Sequence, residues 1–308
     1  MPQPLQLKWL LVGLLALSSL MGCQSKANVS SLTQNACEQG EDFVWVKAGD
    51  YILGSDRIER DNAYRISAAA SAHRPEDISK AEKNLRRQGW FDSEPDREVR
   101  SQPAVCMGKH LITNADYQTF VKATGHRSPH ISAAEYQRQG FLVHPYQTVR
   151  PYLWQGQNYP SGEGQHPVVL VSYEDAQAYA QWRGQRDGQT YRLPSATEWE
   201  QTARGTDGRY FPWGNDWQDN ATNWAKQGGL HTSAIATYPL SRSPDGIEDM
   251  AGNVFEYTST FTQRLLQKAT VMKGCSWDDL PGFCRAAYRH SRPLGSRHIL
   301  FGFRLVKE

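Results

Sequence analysis

Tyr191-Arg192-Leu193-Pro194-Ser195-Ala196-Thr197-Glu198-Trp199-Glu200 is the stretch on which the fold turns. Ser195 followed three residues later by Glu198 is a reciprocal capping pair: the hydroxyl serves the N–H of residue 198 and the carboxylate serves the N–H of residue 195. The spacing predicts a helix through Trp199 and Ala203 that stops at Gly205. Upstream, Ser172 with Asp175 gives the same signal, and Ala176, Tyr179, Ala180 and Arg183 then recur at helical spacing. Thr113 or Asn114 caps a third helix, with Tyr117, Phe120, Val121 and Thr124 on one face and Gly125 as its stop. Downstream of Gly205 turns dominate, among them Pro212-Trp213-Gly214, Ser243-Pro244-Asp245-Gly246 and Met250-Ala251-Gly252-Asn253.

Composition agrees with this punctuation. Ten Trp and 14 Tyr stand beside 25 Gly and 16 Pro in 308 residues, a mixture that suits irregular backbone packed on aromatic rings and suits a helical bundle poorly. With 39% apolar and 21% charged residues the chain is neither a disordered polyelectrolyte nor a membrane bundle. A net charge of +2 gives no basic excess to hold nucleic acid. Neither a repeat nor a Pro- or Ser-rich linker divides the chain, so the reading is one α/β (α+β) loop-rich domain over 41–308. Phe43, Trp45 and Tyr51 around Gly49-Asp50 predict an opening hairpin. A polar insertion, 57–100, follows it, helical over Ala68 to Gln88.

Residues 1–22 read as a secretory signal. Lys8 precedes an apolar run from Trp9 to Leu20, which as a helix spans about 18 Å against a hydrocarbon core of about 30 Å. The run ends in Leu20-Met21-Gly22-Cys23, which resembles a bacterial lipobox with Cys23 as the lipidated first residue. By resemblance to lipoprotein sorting rules, Gln24 directs such a protein to the outer membrane. Residues 23–40 then form a polar tether, and the expected location is the periplasmic side of the envelope, anchored to the membrane by lipid. Cys37, Cys106, Cys275 and Cys284 remain, an even number that an oxidising compartment pairs in one of three ways; Cys275 and Cys284 lie nine residues apart.

Generic catalytic signatures are absent: no phosphate-binding loop, dinucleotide fingerprint, H-E-x-x-H, G-x-S-x-G or C-x-x-C occurs. One segment concentrates chemistry. Between Gly274 and Arg285 lie Cys275, Ser276, Asp278, Asp279 and Cys284, two thiols, a hydroxyl and two carboxylates beside a cation. Thiolates suit Cu(I), and a neighbouring cation lowers a thiol's pKa, whereas a bridged loop would have no such chemistry. Arg285, Arg289 and Arg292 form a basic stretch suited either to solvent or to a partner's surface.

The order of motifs resembles the formylglycine-generating (sulfatase-modifying factor) family. The opening stretch is similar to R-L-P-[TS]-E-A-E-W-E, Asp249 to Thr258 to D-x-x-G-N-V-W-E-W-T, and Lys273-Gly274-Cys275-Ser276-Trp277 to K-G-G-S-W. Phe211-Pro212-Trp213-Gly214, Gly302-Phe303-Arg304-Leu305, Gly54-Ser55, Glu94-Pro95, Thr113-Asn114 and the His166-Pro167-Val168 strand fall in the family's order. The resemblance implies a C-type-lectin-like fold. It also implies structural Ca²⁺ on Asn253, the Val254 carbonyl and Glu256, and a second calcium site on Asn223, although 226–232 contains no carboxylate. The family's oxidase holds Cu(I) between two thiolates five residues apart; those positions are Asp279 and Cys284 here. Ser276 matches a serine of the oxygen pocket.

Two functions follow. In one, the chain is an accessory module that binds a protein partner in the envelope, in a secretion or signalling assembly. In the other, it is a metal-dependent oxidase of the same superfamily, for formylglycine-type cysteine oxidation or siderophore maturation, with Cys284, Cys275, Ser276 and Asp279 lining its site.

Overall fold

The computed structural model describes residues 33–40, 42–140, 144–264 and 267–308. By contacts the chain divides into Met1–Ser31 and a compact unit Leu32–Glu308. The signal, Cys23 and most of the tether lie outside the described residues. The element order is α1 (Gln34–Cys37), β1 (Phe43–Val46), β2 (Gly49–Leu53), α2 (Arg57–Ser71), α3 (Ile78–Gln88), β3 (Glu98–Gln102), β4 (Val105–Gly108), α4 (Asn114–Thr124), α5 (Ala133–Arg138) and α6 (Tyr146–Val149). It continues with α7 (Tyr173–Asp187), β5 (Tyr191–Arg192), α8 (Ala196–Arg204), β6 (Phe255–Arg264), β7 (Gln267–Lys273), β8 (His290–Pro293), β9 (Phe301–Gly302) and β10 (Val306–Lys307). Among the described residues three small sheets form: β1-β4-β10-β5, the pair β2-β3, and β8-β7-β6-β9.

The three capped helices form where their boxes place them. Thr113 with Asp116, Ser172 with Asp175 and Ser195 with Glu198 each make both reciprocal bonds, and α4 and α8 stop at Gly125 and Gly205. Buried aromatic and aliphatic side chains from α4, α7, β6 and the C-terminal loops, including Tyr117, Phe120, Tyr179, Tyr257, Trp277 and Phe303, make one core.

Four expectations are corrected. The hairpin at Gly49-Asp50 does not form: β1 pairs with β4 and β2 with β3, because the buried ends of β1 (Phe43, Val46) belong to a different sheet from Tyr51 and Leu53. The folded unit starts before Glu41, since α1 places Cys37 in the core, bridged to Cys106. His166-Pro167-Val168 contributes one bridge, Thr113 to Pro167, rather than a strand. Finally, 57–100 is no peripheral appendage. In place of one helix over Ala68 to Gln88 it forms a helical hairpin, α2 starting earlier at Arg57 and α3 ending at Gln88 with a break over residues 72–77, which returns the chain to β3 and places Glu59, Glu94 and Phe91 in the interior.

What holds this hairpin is a buried chain of six alternating charges. Lys273 donates to Glu200 (3.0 Å), Arg204 donates to Glu200 (3.1 Å) and to Glu59 (2.6 Å), and Arg285 donates to Glu59 (3.1 Å) and to Glu94 (2.5 and 3.1 Å). Arg97 adds a third guanidinium on Glu59, at 3.1 Å. Close packing accompanies it. Gly282 N–H donates to Ser67 Oγ at 2.9 Å, and a Cβ at Gly282 would lie 2.6 Å from the Ala63 carbonyl, so α2 approaches this backbone only because residue 282 is glycine. Arg285, expected at a partner surface, is fully buried in this chain and is not available to one.

Removing one acid from such a chain leaves cations buried without compensation, which costs more than the net worth of the pair. Glu59→Ala is expected to lower unfolding free energy by about 3–5 kcal/mol in urea titrations. A loss below about 1 kcal/mol, the range of exposed pairs, would contradict this account.

Candidate functional site

The segment after β7 closes on itself through a Cys275–Cys284 disulfide, and the other bridge is Cys37–Cys106, one of the three pairings that sequence allows. Both Cys275 and Cys284 are fully buried. As a disulfide they offer neither a thiolate for Cu(I) nor a nucleophile, so the expected copper role of Cys284 and the catalytic role of Cys275 are not supported by this arrangement. Within the loop they close, Ser276 donates both its N–H (2.9 Å) and its hydroxyl to Asp279 Oδ2.

Asp279 opens onto a cavity of about 150 Å³. Trp90, Phe255, Phe283, Tyr288, Leu300 and Phe301 supply most of the lining, joined by Asp278, His290, Arg292 and His298. Of the four residues expected to line a catalytic site, only Asp279 does so; Cys275, Ser276 and Cys284 sit behind it. A larger groove of about 320 Å³, between Asp42, Thr113 and Arg183, contains none of the predicted site residues.

Each wall is fixed by packing. Trp90 and Phe91 follow Gly89, the left-handed stop of α3, and Phe283 meets their rings at 5.7 and 5.0 Å. Tyr288 stands 5.0 Å from Phe283, and His290 stacks on Phe255 at 4.6 Å. Arg292 donates to the Ser291 carbonyl at 3.0 Å, with its guanidinium 6.0 Å from the Phe301 ring centroid. Arg289, the third arginine expected at a partner surface, is half-buried.

Burial sets the protonation of these groups. Surrounding protein pushes the Asp279 carboxyl up to about 6, against the lowering by its two Ser276 bonds and with a further push from Asp278. Part of Asp279 nevertheless remains accessible, as its place in the cavity lining requires. His298 is held down to about 3 by burial, then by His144 and Arg292. The neutral ring fits its bonds, with Leu300 N–H donating to Nδ1 at 3.3 Å and Tyr136 Oη 3.1 Å from Nε2. His144 Nε2 lies 3.1 Å from Asp278 Oδ2, within ion-pair distance though not aligned as a hydrogen bond.

The calcium donors predicted from the motif are already engaged. Both Glu256 oxygens accept from Arg304, at 2.6 and 2.8 Å. The Asn253 amide exchanges bonds with the Ser233 backbone, at 3.0 and 3.1 Å. Only the Val254 carbonyl remains of that set, too few hard oxygens for Ca²⁺. Asn223 Oδ1 is buried without a partner while its Nδ2 serves the His231 carbonyl, and a lone amide oxygen does not make a calcium site either. Among the described residues no group of three or more His, Cys, Asp or Glu is placed to hold a metal.

Trp90 and Tyr288 were not singled out by sequence reasoning, and His290 and His298 stood out only as neighbours of Arg289 and Arg297 in the basic C-terminal stretch. Their signal, a run of aromatics after Gly89 and another between residues 283 and 301, becomes readable only once the hairpin is known to fold back on residue 283.

The comparisons agree with the fold. The sulfatase-modifying factor enzyme 1-like domain matches residues 29–308, and the chain belongs to this family. It is similar to the inactive C-alpha-formylglycine-generating enzyme 2 of Mus musculus, 32% identical over 217 residues, covering 60% of this chain and 67% of that one. It is also similar to the formylglycine-generating enzyme of Mus musculus, 32% identical over 188 residues, covering 50% and 48% respectively. PvdO from Pseudomonas aeruginosa superposes with a TM-score of 0.62 at 20% identity, over 86% of this chain and 94% of that one.

The raised Asp279 carboxyl has a definite stability signature. A carboxyl that binds its proton more tightly in the folded state makes folding less favourable as pH rises from the unfolded value, about 4, to about 6. Asp279→Asn keeps the acceptor for Ser276 and removes the titration. The variant is expected to gain on the wild type across that window, read as the difference in urea midpoint at pH 4 and pH 7. An unchanged difference would mean that Asp279 titrates normally.

Proposed function

We propose that this chain is an accessory, non-oxidising member of its family that binds a partner at the cell envelope, held there by lipid on Cys23 at the periplasmic side of the outer membrane. The observation that carries the reading is the Cys275–Cys284 disulfide: the one cysteine that stands at a copper position is bridged, and Asp279 stands at the other. A carboxylate is a hard oxygen donor and does not replace a thiolate toward Cu(I). The likeness to a relative named as inactive supports the same direction. Two disulfides support an exported location, because such bridges persist in oxidising compartments. With Arg285 buried, the surface proposed for a partner centres on the aromatic cavity and its Arg292 side.

Thiol labelling of the purified protein, without reductant, tests the central point. No thiol is expected to react on Cys275 or Cys284 in the native state, no stoichiometric Cu(I) should be retained against a chelator, and cysteine peptides should cause no O₂ uptake. One equivalent of Cu(I), lost in Cys284→Ser and accompanied by O₂ consumption, would establish the oxidase instead. Radiolabelled fatty acid should enter the wild type and not Cys23→Ala; equal incorporation would remove the anchor.

A further inference from the structure

The cavity has walls and floor of different chemistry. Five aromatic side chains, Trp90, Phe255, Phe283, Tyr288 and Phe301, line it together with Leu300. Asp278 and Asp279 lie side by side in the same lining, and Asp279 has spent only Oδ2 on Ser276. Among the described residues of the lining, Arg292 is the one guanidinium, and it donates to the Ser291 carbonyl beside the Phe301 ring. Above the ordinary imidazole range the lining therefore carries two carboxylates against one guanidinium. Its size, about 150 Å³, matches cavities that take a benzene-sized group. A ring attracts a cation over its negative face, where the π-electron density lies, and the attraction strengthens when the cation is desolvated.

We propose that this cavity binds a small organic ammonium group, with the rings of Trp90, Phe255, Phe283, Tyr288 and Phe301 around it and Asp279 as its counter-charge. Trp90 sets the fit. It is the wall contributed by the 57–100 hairpin, is 42% exposed where the cavity meets solvent, and leans on Phe283. Asp278 is the outer acid, within ion-pair distance of His144, which leaves Asp279 as the carboxylate with an oxygen to offer. A purely apolar ligand would leave that oxygen desolvated and unpaired, a penalty that an ammonium avoids. The inference rests on the reading of the chain as a binding module and supplies the chemistry of what it binds. The ammonium has two sources, a free small molecule or a methylated lysine side chain on a protein.

Calorimetric titration at pH 8 of the disulfide-intact protein, with no copper added, tests it. The probes are choline and its uncharged analogue, in which carbon replaces nitrogen. Choline is expected to bind at least about tenfold more tightly, and Asp279→Asn to abolish that preference. Trp90→Ala should weaken binding of choline by a similar factor. A short peptide carrying trimethyllysine that binds more tightly than choline identifies a protein source; the reverse order identifies a free ligand. Equal affinity for choline and the uncharged analogue in the wild type overturns the proposal, whatever the variants do. So does an absence of saturable binding at about 1 mM. Because no thiol or oxygen is involved in the readout, failure here leaves the thiol-labelling result standing, and the converse also holds.

Discussion

The rest of the structure depends on one buried line of charge, Lys273–Glu200–Arg204–Glu59–Arg285–Glu94. Its members come from β7, α8, α2, the turn after α3 and the loop after the Cys275–Cys284 bridge, so no two of these segments can shift independently. Each ion loses hydration worth several kcal/mol when it is buried, and a single partner rarely restores it. Here the interior carboxylates are shared: Glu59 receives Arg204, Arg285 and Arg97, while Glu200 receives Lys273, Arg204 and the Gly54 N–H. Burial alone would lift the Glu200 carboxyl, yet Lys273 and Arg204 hold it below its usual range. An apolar replacement of the whole line could be as stable. What an apolar replacement lacks is direction: the charges pair in one order, and with the Gly282–Ser67 bond they hold α2 against residue 282.

That register builds the cavity. With Glu59 and Glu94 clamped on Arg285, the hairpin's closing turn has one place to go, against Phe283, and Trp90 and Phe91 arrive there as a pair. Gly282 lets the backbone come close, and Arg285 lies over the Phe91 ring at 5.0 Å. Polar and aromatic contacts thus fix the same junction from its two sides. The wall at Trp90 is consequently an indirect product of a salt bridge network that never touches the cavity.

Local signals were legible and long-range ones were not. Two capping boxes and one N-cap specified three helices because each signal is complete within four residues, and the ordered motifs from Gly54 to Leu305 carried the fold class. The hairpin resisted reading because a stretch rich in Arg, Lys and Glu has the composition of a solvated face. Its partners lie far away in sequence: Glu59 is 226 residues from Arg285. Arg285 itself was misplaced for the same reason, as one arginine in a basic run looks like its neighbours until its acids are located. The calcium motif is a different case. The motif around Asn253 and Glu256 is present, but Arg304 lies close enough to claim the carboxylate that an ion would need. At the candidate site the sequence identified Asp279 and the unusual cysteines and missed every aromatic wall.

The carboxyl at residue 279 decides which ions this loop can face. A thiolate is soft, polarisable and a ligand for Cu(I); a carboxylate is hard, binds protons and cations, and depends strongly on solvation. Joining Cys284 to Cys275 removes the remaining soft donor in the same stroke. The loop then keeps its shape without metal, because the disulfide and the two Ser276 bonds to Asp279 close it from within. A carboxyl so placed, raised to about 6 yet still open to a ring-lined space, is a poor electron-transfer group and a good discriminator of charge. The carboxyl at residue 279 and the bridge at 275–284 act as one unit: together they leave this loop without a free thiol and hold its shape.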